Sequence, residues 1–457
     1  MKISLPHDFL REMTLKLGNE MDSFLTSFTK SPLTSIRINP KKIVYIAIAD
    51  PINHCKYGYY LAERPSFSED PKFHAGGYYV QESSSMIIAH VLEEIQKDYA
   101  SDQPLKILDL CAAPGGKTTL ISDFVPSDSL IVANEVIKSR ASILKENVMK
   151  WGRSNIVVTN NDPSQFKEFD QYFDIILIDA PCSGEGMFRK DPQAIGEWSL
   201  DNIKICSARQ NRIIHDVYPA LKSGGKIIYS TCTYNDAENI DIIDQMTHQY
   251  DLLSRVIDFP SSYGITEVKK AESIGYHLYP HKVKGEGLFI SVLEKQNKNT
   301  EEPTSSQYKS FKKVLLPLDK LQITTLKSWL KGEELANCLI HPNGDVYHYN
   351  ATLGSEMNFI LQNLKVVYSG IKCGNLNKAL FIPDHSLALS DIVHEDIPRK
   401  EMSLEQAQNY LRRKLDFIEG NRTSWHLATY ENLQLGWFKN LGNRINNYYP
   451  MEYRLRK

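Results

Sequence analysis

Two cysteines stand where apolar, strand-like runs give way to loops. Phe173 to Ile178 reads as a buried strand, after which the chain passes through Asp179-Ala180-Pro181-Cys182-Ser183-Gly184-Glu185-Gly186. The strand-like SGGKIIYS hands over in the same way to Thr231-Cys232-Thr233-Tyr234. In an open α/β sheet, ligands bind outside the carboxyl ends of the strands. In such a sheet these two strands are expected to be neighbours, so that Cys182 and Cys232 face each other across one cleft. A single buried cysteine is ordinarily a small hydrophobe. Two at adjacent ligand-side strand ends, with Asp179 close by, are suited to nucleophilic catalysis by sulfur. Cys111 and Cys206 read as structural. The seven cysteines are dispersed and form no CxxC pair, which argues for reduced thiols and against disulfides or a bound metal.

A second set of strand ends offers a cofactor site. The strand LKILDL opens into Cys111-Ala112-Ala113-Pro114-Gly115-Gly116-Lys117-Thr118, where glycines let the backbone approach a ligand at a helix N-terminus. The next strand ends in Glu135, at the offset where an acid accepts both hydroxyls of a ribose. The third ends in Asn160-Asn161-Asp162, placed to meet an adenine edge. Taken in order, these ends suit an adenosine-type cofactor. GGKT also resembles the close of a phosphate-binding P-loop, making an NTPase the rival, but Cys111 stands where that motif needs glycine and Pro114 lacks a backbone donor. A dinucleotide remains open, although the loop is not GxGxxG.

The elements that must position these loops alternate between strand and helix from Leu105 to about Glu294, the pattern of a doubly wound α/β domain. Residues 1–76 read as a small α+β unit, and the glycine pair Gly76-Gly77 as its boundary. Arg37, Lys41 and Lys42 are candidate phosphate contacts there. Residues 77–294 form the α/β domain, 295–313 a polar linker, 314–384 a small mixed α/β unit and 385–457 a terminal unit, whose helix is expected to run from Ser403 to Gly420.

At 457 residues, 42% hydrophobic and 24% charged, the chain is a multi-domain globular protein with no N-terminal apolar run long enough for a span or signal core. The cytoplasm is the expected compartment. Its net charge of −2 is uneven, since residues 399–457 carry eleven Lys+Arg against six Asp+Glu. A basic tail containing Trp425, Trp437, Tyr448 and Tyr449 beside Arg422, Lys439 and Arg444 suggests a polyanion partner, with fewer than half of the aromatics free to touch it.

CAAPGGKT, NEV, NND, DAPCSGEGMFRKDP and STCTYNDAEN, in this order, resemble the Nol/Nop/Sun family of RNA cytosine-5 methyltransferases, strongly over residues 83–294. The N-terminal segment and the tail GWFKNLGNRINNYYPMEYR are similar to its bacterial small-subunit ribosomal RNA branch. The resemblance implies a Rossmann-like class I methyltransferase core and a PUA-like RNA-binding domain at the C-terminus. It implies S-adenosylmethionine held by Cys111, Ala112, Ala113, Pro114, Gly115, Gly116, Lys117, Glu135, Asp162 and Asp179, with Arg140 supporting. In this family the Thr-Cys thiol attacks, here Cys232. Cys182 is then expected to help release the product by supplying or positioning a base, Asp179 to polarise the base being methylated, and Lys190 to meet phosphate. The implied partner is RNA, as small-subunit ribosomal RNA or the small ribosomal subunit, without DNA or a membrane, bound by a monomer. A transfer RNA methyltransferase and a non-catalytic ribosome assembly factor are the alternatives.

Overall fold

The structure, a computed structural model, describes residues 4–44, 50–296, 314–378, 380–415 and 423–456. An N-terminal sheet has the antiparallel order β2-β3-β1-β4, built from β1 (Thr34–Ile38), β2 (Asp50–Pro51), β3 (Gly58–Leu61) and β4 (Tyr78–Val80). Gly76-Gly77 is therefore not a boundary, because the strand after it completes this sheet. The two glycines instead permit a close approach: a Cβ on Gly76, which has φ of +66°, would lie 1.9 Å from the Lys150 carbonyl oxygen.

The expected phosphate cations on this unit are mostly structural. Arg37 is fully buried, its guanidinium 4.4 Å from the centre of the Trp151 ring and paired with Asp123. Lys42 donates to the carbonyls of Ala75 (2.6 Å) and Lys150 (2.8 Å), and burial lowers its pKa to about 7. Lys41 is exposed. Both buried cations fasten the N-terminal sheet to the central domain.

That domain is organised around five parallel strands, β5 (Lys106–Asp109), β6 (Leu130–Asn134), β7 (Ile156–Thr159), β8 (Phe173–Asp179) and β9 (Leu221–Thr231), in the order β9-β8-β5-β6-β7. β6 and β7 are buried throughout, as strands covered on both faces must be. The helices Gly116–Phe124, Lys138–Trp151, Leu200–Val217 and Ile240–Gln249 lie between the strands in sequence. The helix Leu200–Val217 starts where Ser199 caps it by accepting from the Asn202 amide. β10 (Leu252–Ser254), β11 (Thr266–Lys270), β12 (Ser273–Leu278) and β13 (Leu288–Lys295) finish one side, with β12 and β13 paired antiparallel and β13 antiparallel to β9.

Most of the expected linker, residues 297–313, lies outside the described residues. The chain beyond it forms β14 (Leu316–Pro317), β15 (Cys338–Ile340), β16 (Asp345–His348), β17 (Val366–Ser369), β18 (Ile371–Asn377) and β19 (Leu380–Pro383). β17 leaves its own unit and pairs antiparallel with β7, while Leu353, Met357 and Ile360 of the helix Ala351–Asn363 pack into the core of the central domain. The fully buried strand β7 is thereby covered at its edge, which removes an open, sticky strand edge. The last sheet, β20 (Arg399–Glu401), β21 (Ser424–Tyr430), β22 (Leu433–Asn440) and β23 (Ile445–Asn447), shares one core with residues before 384: Leu376 and Phe381 belong to the same buried cluster as Leu427 and Trp437. A division at 384/385 cuts through that core. The helix starting after Ser403 ends at Leu411, and the expected end at Gly420 lies outside the described residues.

Candidate active site

β8 and β9 are parallel neighbours with Asp179 opposite Ser230, so the loops that follow run side by side. Cys182 Sγ lies 3.3 Å from Cys232 Sγ. Ser183 and Thr233, one residue on, bring their hydroxyls to 3.0 Å, and the Gly186 amide donates to the Cys232 carbonyl at 2.8 Å. Glycine at 186 avoids crowding: a Cβ there would stand 3.0 Å from the Cys232 carbonyl oxygen and 3.3 Å from those of Glu286 and Gly287.

Two buried carboxylates hold this pair of loops. Glu238 accepts from the Ser183 amide (2.9 Å), the Ser183 hydroxyl, Gln210 (3.1 Å) and Asn235 (2.8 Å). Burial raises its pKa, while the Ser183 and Asn235 donors oppose that shift. Glu185 accepts from the amides of Tyr234 (2.6 Å) and Asn235 (3.0 Å) and from the Trp198 indole (2.9 Å). Sequence reasoning missed both acids, although each lies inside a motif that carries a cysteine. An acid within a predicted buried turn is the signal that could have exposed them, since it needs several donors to remain there.

A cavity of about 790 Å³ opens at these strand ends, within the size range of ligand sites. Its wall includes Cys111, Ala112, Ala113, Pro114, Gly116, Lys117, Asp179 and Cys232, together with Asp109. Cys182, half-buried like Cys232, and Gly115 are not part of this wall. The opposite side comes from the N-terminal unit, through residues that include Leu33, Ser35, Tyr79 and Gln81. That contribution was not visible in the sequence, because it depends on how two domains pack.

Asp179 is held on both oxygens, by the Ser230 hydroxyl at 2.7 Å and the Lys117 ammonium at 2.7 Å. For Lys117, burial works against the charge and the Asp179 carboxylate outweighs it, so its pKa is raised. Asp109 is fully buried, takes the Thr118 hydroxyl at 2.6 Å on one oxygen and has no partner for the other among the described residues. Burial raises its pKa to about 7. Cys111 is pushed well up, by burial first and then by the nearby acids, which leaves it a neutral thiol. Cys182 is also pushed well up, first by its hydrogen bond with Cys232 and then by burial, so it keeps its proton.

The remaining candidates are placed less directly. Glu135 is buried at the end of β6, accepting from the Ile137 amide at 2.9 Å and facing Arg140 at 3.5 Å; Arg140 in turn donates to the Ala113 carbonyl at 2.9 Å. Asp162 caps the turn Pro163–Glu168 through the Ser164 amide and lies 3.4 Å from Arg212. Neither acid is on the cavity wall. Lys190 is on that wall, 3.7 Å from Glu286. In the tail, Trp437 and Tyr449 are core residues, whereas Tyr448 is exposed and Trp425 is half-buried beneath Lys439. Arg422 lies outside the described residues.

Residues 98–294 match the family described as 16S rRNA methyltransferase RsmB/F. Residues 5–83 match the N-terminal domain of 16S rRNA methyltransferase RsmF, and residues 398–455 the methyltransferase RsmF PUA domain. A ribosomal RNA small subunit methyltransferase F from Shewanella loihica is 31% identical, with 98% of this chain and 95% of the relative aligned. That from Pectobacterium atrosepticum is 30% identical over 98% and 96%. The chain belongs to the RsmB/F family. It is thus a ribosomal RNA methyltransferase with an RsmF-type N-terminal domain and a PUA domain, and its cofactor is S-adenosylmethionine. Among solved structures, a methyltransferase homolog protein from Pyrococcus horikoshii is similar with a TM-score of 0.51 at 25% identity, covering 64% of this chain and 100% of that one. NSun6 from the same organism, solved with SFG, has a TM-score of 0.54 at 20% identity over 65% and 100%, and shares the fold.

The residues fit an adenosine-bearing cofactor. Gly115 adopts φ of +110° where the helix Gly116–Phe124 begins, and Asp109 presents a buried oxygen without a partner in the cavity wall. A P-loop reading gains nothing from the geometry, since Lys117 is engaged with Asp179.

Proposed function

We propose that this RsmB/F-family enzyme methylates carbon 5 of cytosine in small-subunit ribosomal RNA through a covalent bond between Cys232 and the base, acting as a cytoplasmic monomer. The observation that carries this reading is the placement of Cys232 on the cavity wall, with the Cys182 sulfur 3.3 Å from its own. Carbon 5 of cytosine is a poor nucleophile. Addition of the Cys232 thiolate to carbon 6 makes the ring an enamine whose carbon 5 can attack an electrophile. When bound, S-adenosylmethionine supplies that electrophilic methyl group.

The chain's residues do the rest. Cys111 to Lys117, Glu135 and Asp162 hold the cofactor, with the backbone of the glycine turn closest to it. Asp179 accepts from the exocyclic amino group of the base. Lys117 neutralises Asp179, so that the carboxylate does not oppose the negative charge reaching the ring as sulfur adds. Release requires a base to take the proton from carbon 5 while the bond from Cys232 to carbon 6 breaks. Because Cys182 keeps its proton, it serves here as the donor to the departing Cys232 sulfur rather than as the base. The cytosine must leave its stack to enter a cavity of this depth. Lys190, the exposed Tyr448 and Arg444, and the half-buried Lys439 are the RNA contacts we assign.

Mass spectrometry of nucleosides from small-subunit RNA incubated with the protein and S-adenosylmethionine tests the reading. The expected product is 5-methylcytidine, absent with Cys232→Ala. Methylation of another atom, or full turnover by Cys232→Ala, overturns it.

A further inference from the structure

A second cavity lies away from the cysteines, where three parts of the chain meet. It encloses about 430 Å³, inside the range of ligand sites. Lys145 comes from the helix Lys138–Trp151 of the methyltransferase domain, Tyr347, Tyr368 and Lys372 from the unit after the linker, and Tyr453 from the stretch matched to the PUA domain. Clefts between domains are preferred places for ligands, and these walls combine flat rings with cations.

The groups are positioned for use. Tyr347 and Tyr349 are stacked, with ring centres 6.0 Å apart and planes 13° apart, and Tyr347 and Tyr453 are only half-buried. Tyr368 turns its hydroxyl to Ser386 at 2.6 Å, leaving its ring as wall. Lys372 is held by Asp345 at 3.1 Å, whereas Lys145 makes no hydrogen bond or ion pair among the described residues. Asp384 gives one oxygen to the Ser386 amide at 2.9 Å and leaves the other without a partner among the described residues. An apolar ligand would leave that oxygen and Lys145 unused, and an anion alone would not need the tyrosines. A nucleotide uses all of them, with its base on a ring, its N–H edge on the carboxylate and its phosphate on a lysine.

We infer that this cavity binds one unstacked nucleotide of the RNA substrate, outside the base that is methylated. The inference rests on the RNA reading above. It gives the middle unit a function, since a nucleotide here touches the methyltransferase domain, that unit and the PUA domain at once and so fixes the register of the RNA.

Photocrosslinking tests this on the full chain, with a short mixed-sequence single-stranded RNA carrying thiouridine and mass-spectrometric mapping of the crosslinks. Crosslinks at Tyr347 or Tyr453 are expected. Lys145→Ala with Tyr453→Leu is expected to weaken binding of the same RNA roughly tenfold, the scale of one lost base contact, with S-adenosylmethionine binding unchanged. Unchanged RNA affinity in that variant, with crosslinks only elsewhere, overturns the inference. A variant that also loses cofactor binding has misfolded, and the crosslink map of the unaltered protein then decides. Crosslinks absent from the cavity while uridine or guanosine monophosphate quenches its tyrosine fluorescence would identify a small-molecule site and likewise overturn it. An unaltered protein that binds no RNA at all sinks the functional reading instead.

Discussion

Cys182 Sγ and Cys232 Sγ lie 3.3 Å apart, yet only Cys232 borders the cavity. The two thiols are therefore not equivalent. Cys232 forms part of the cavity wall, and Cys182 meets it from a position beside that wall. The raised pKa of Cys182, caused first by its hydrogen bond with Cys232 and then by burial, agrees with this division.

Cys182→Ala is expected to permit attack and block release. An RNA–protein adduct that survives denaturing gel electrophoresis should accumulate, with multiple turnover falling by roughly a hundredfold or more, the scale of a lost general acid. Normal turnover without an adduct would remove Cys182 from the release step.

Gly186→Ala should impair the enzyme without touching a functional group. The new Cβ crowds three backbone carbonyls, which must give way by a few tenths of an ångström, and one of them belongs to Cys232. The cost should be about 1–3 kcal/mol, seen as a lower denaturation midpoint. The rate of Cys232 capture should fall with S-adenosylmethionine affinity nearly unchanged; an unaltered capture rate would show that the loops tolerate the shift.

Asp109 gives a prediction with a defined pH window. Its folded-state pKa is raised from 3.8 to about 7 by burial, so the folded protein holds a proton that the unfolded chain releases. The stabilisation is complete below about pH 4 and is lost as pH rises through about 7. Asp109→Asn keeps the acceptor for Thr118 and removes the charge. Urea denaturation of the cofactor-free protein should show the variant gaining on the parent between pH 5 and 7, by on the order of a few kcal/mol. A difference independent of pH would contradict the shift.

Arg37→Leu should loosen the N-terminal unit. Asp123 would keep Arg153 as a partner but lose Arg37, and Trp151 would lose the guanidinium above it. Removing one member of a buried charge cluster costs about 3–5 kcal/mol. Limited proteolysis should cut first near residues 30–80, and an unchanged digestion pattern would argue that packing alone holds the unit.

The sequence by itself was enough for the parallel sheet and for the strand ends that carry Cys111 to Lys117, Asp179, Cys182 and Cys232. Buried parallel strands are continuous apolar runs and ligand loops follow them directly, so both signals are local. Arg37 was legible only as a cation, and its burial against Trp151 requires two domains to pack. Glu185 and Glu238 were visible as acids, but their roles depend on donors from three separate segments. Tertiary structure alone decided that β17 extends the central sheet and that the N-terminal unit forms one wall of the cavity. It also separated the exposed Tyr448 from the buried Trp437. The physical reason is the same in each case: periodicity records which residues avoid water, whereas the partner that shields them is chosen by contacts between residues far apart in the chain.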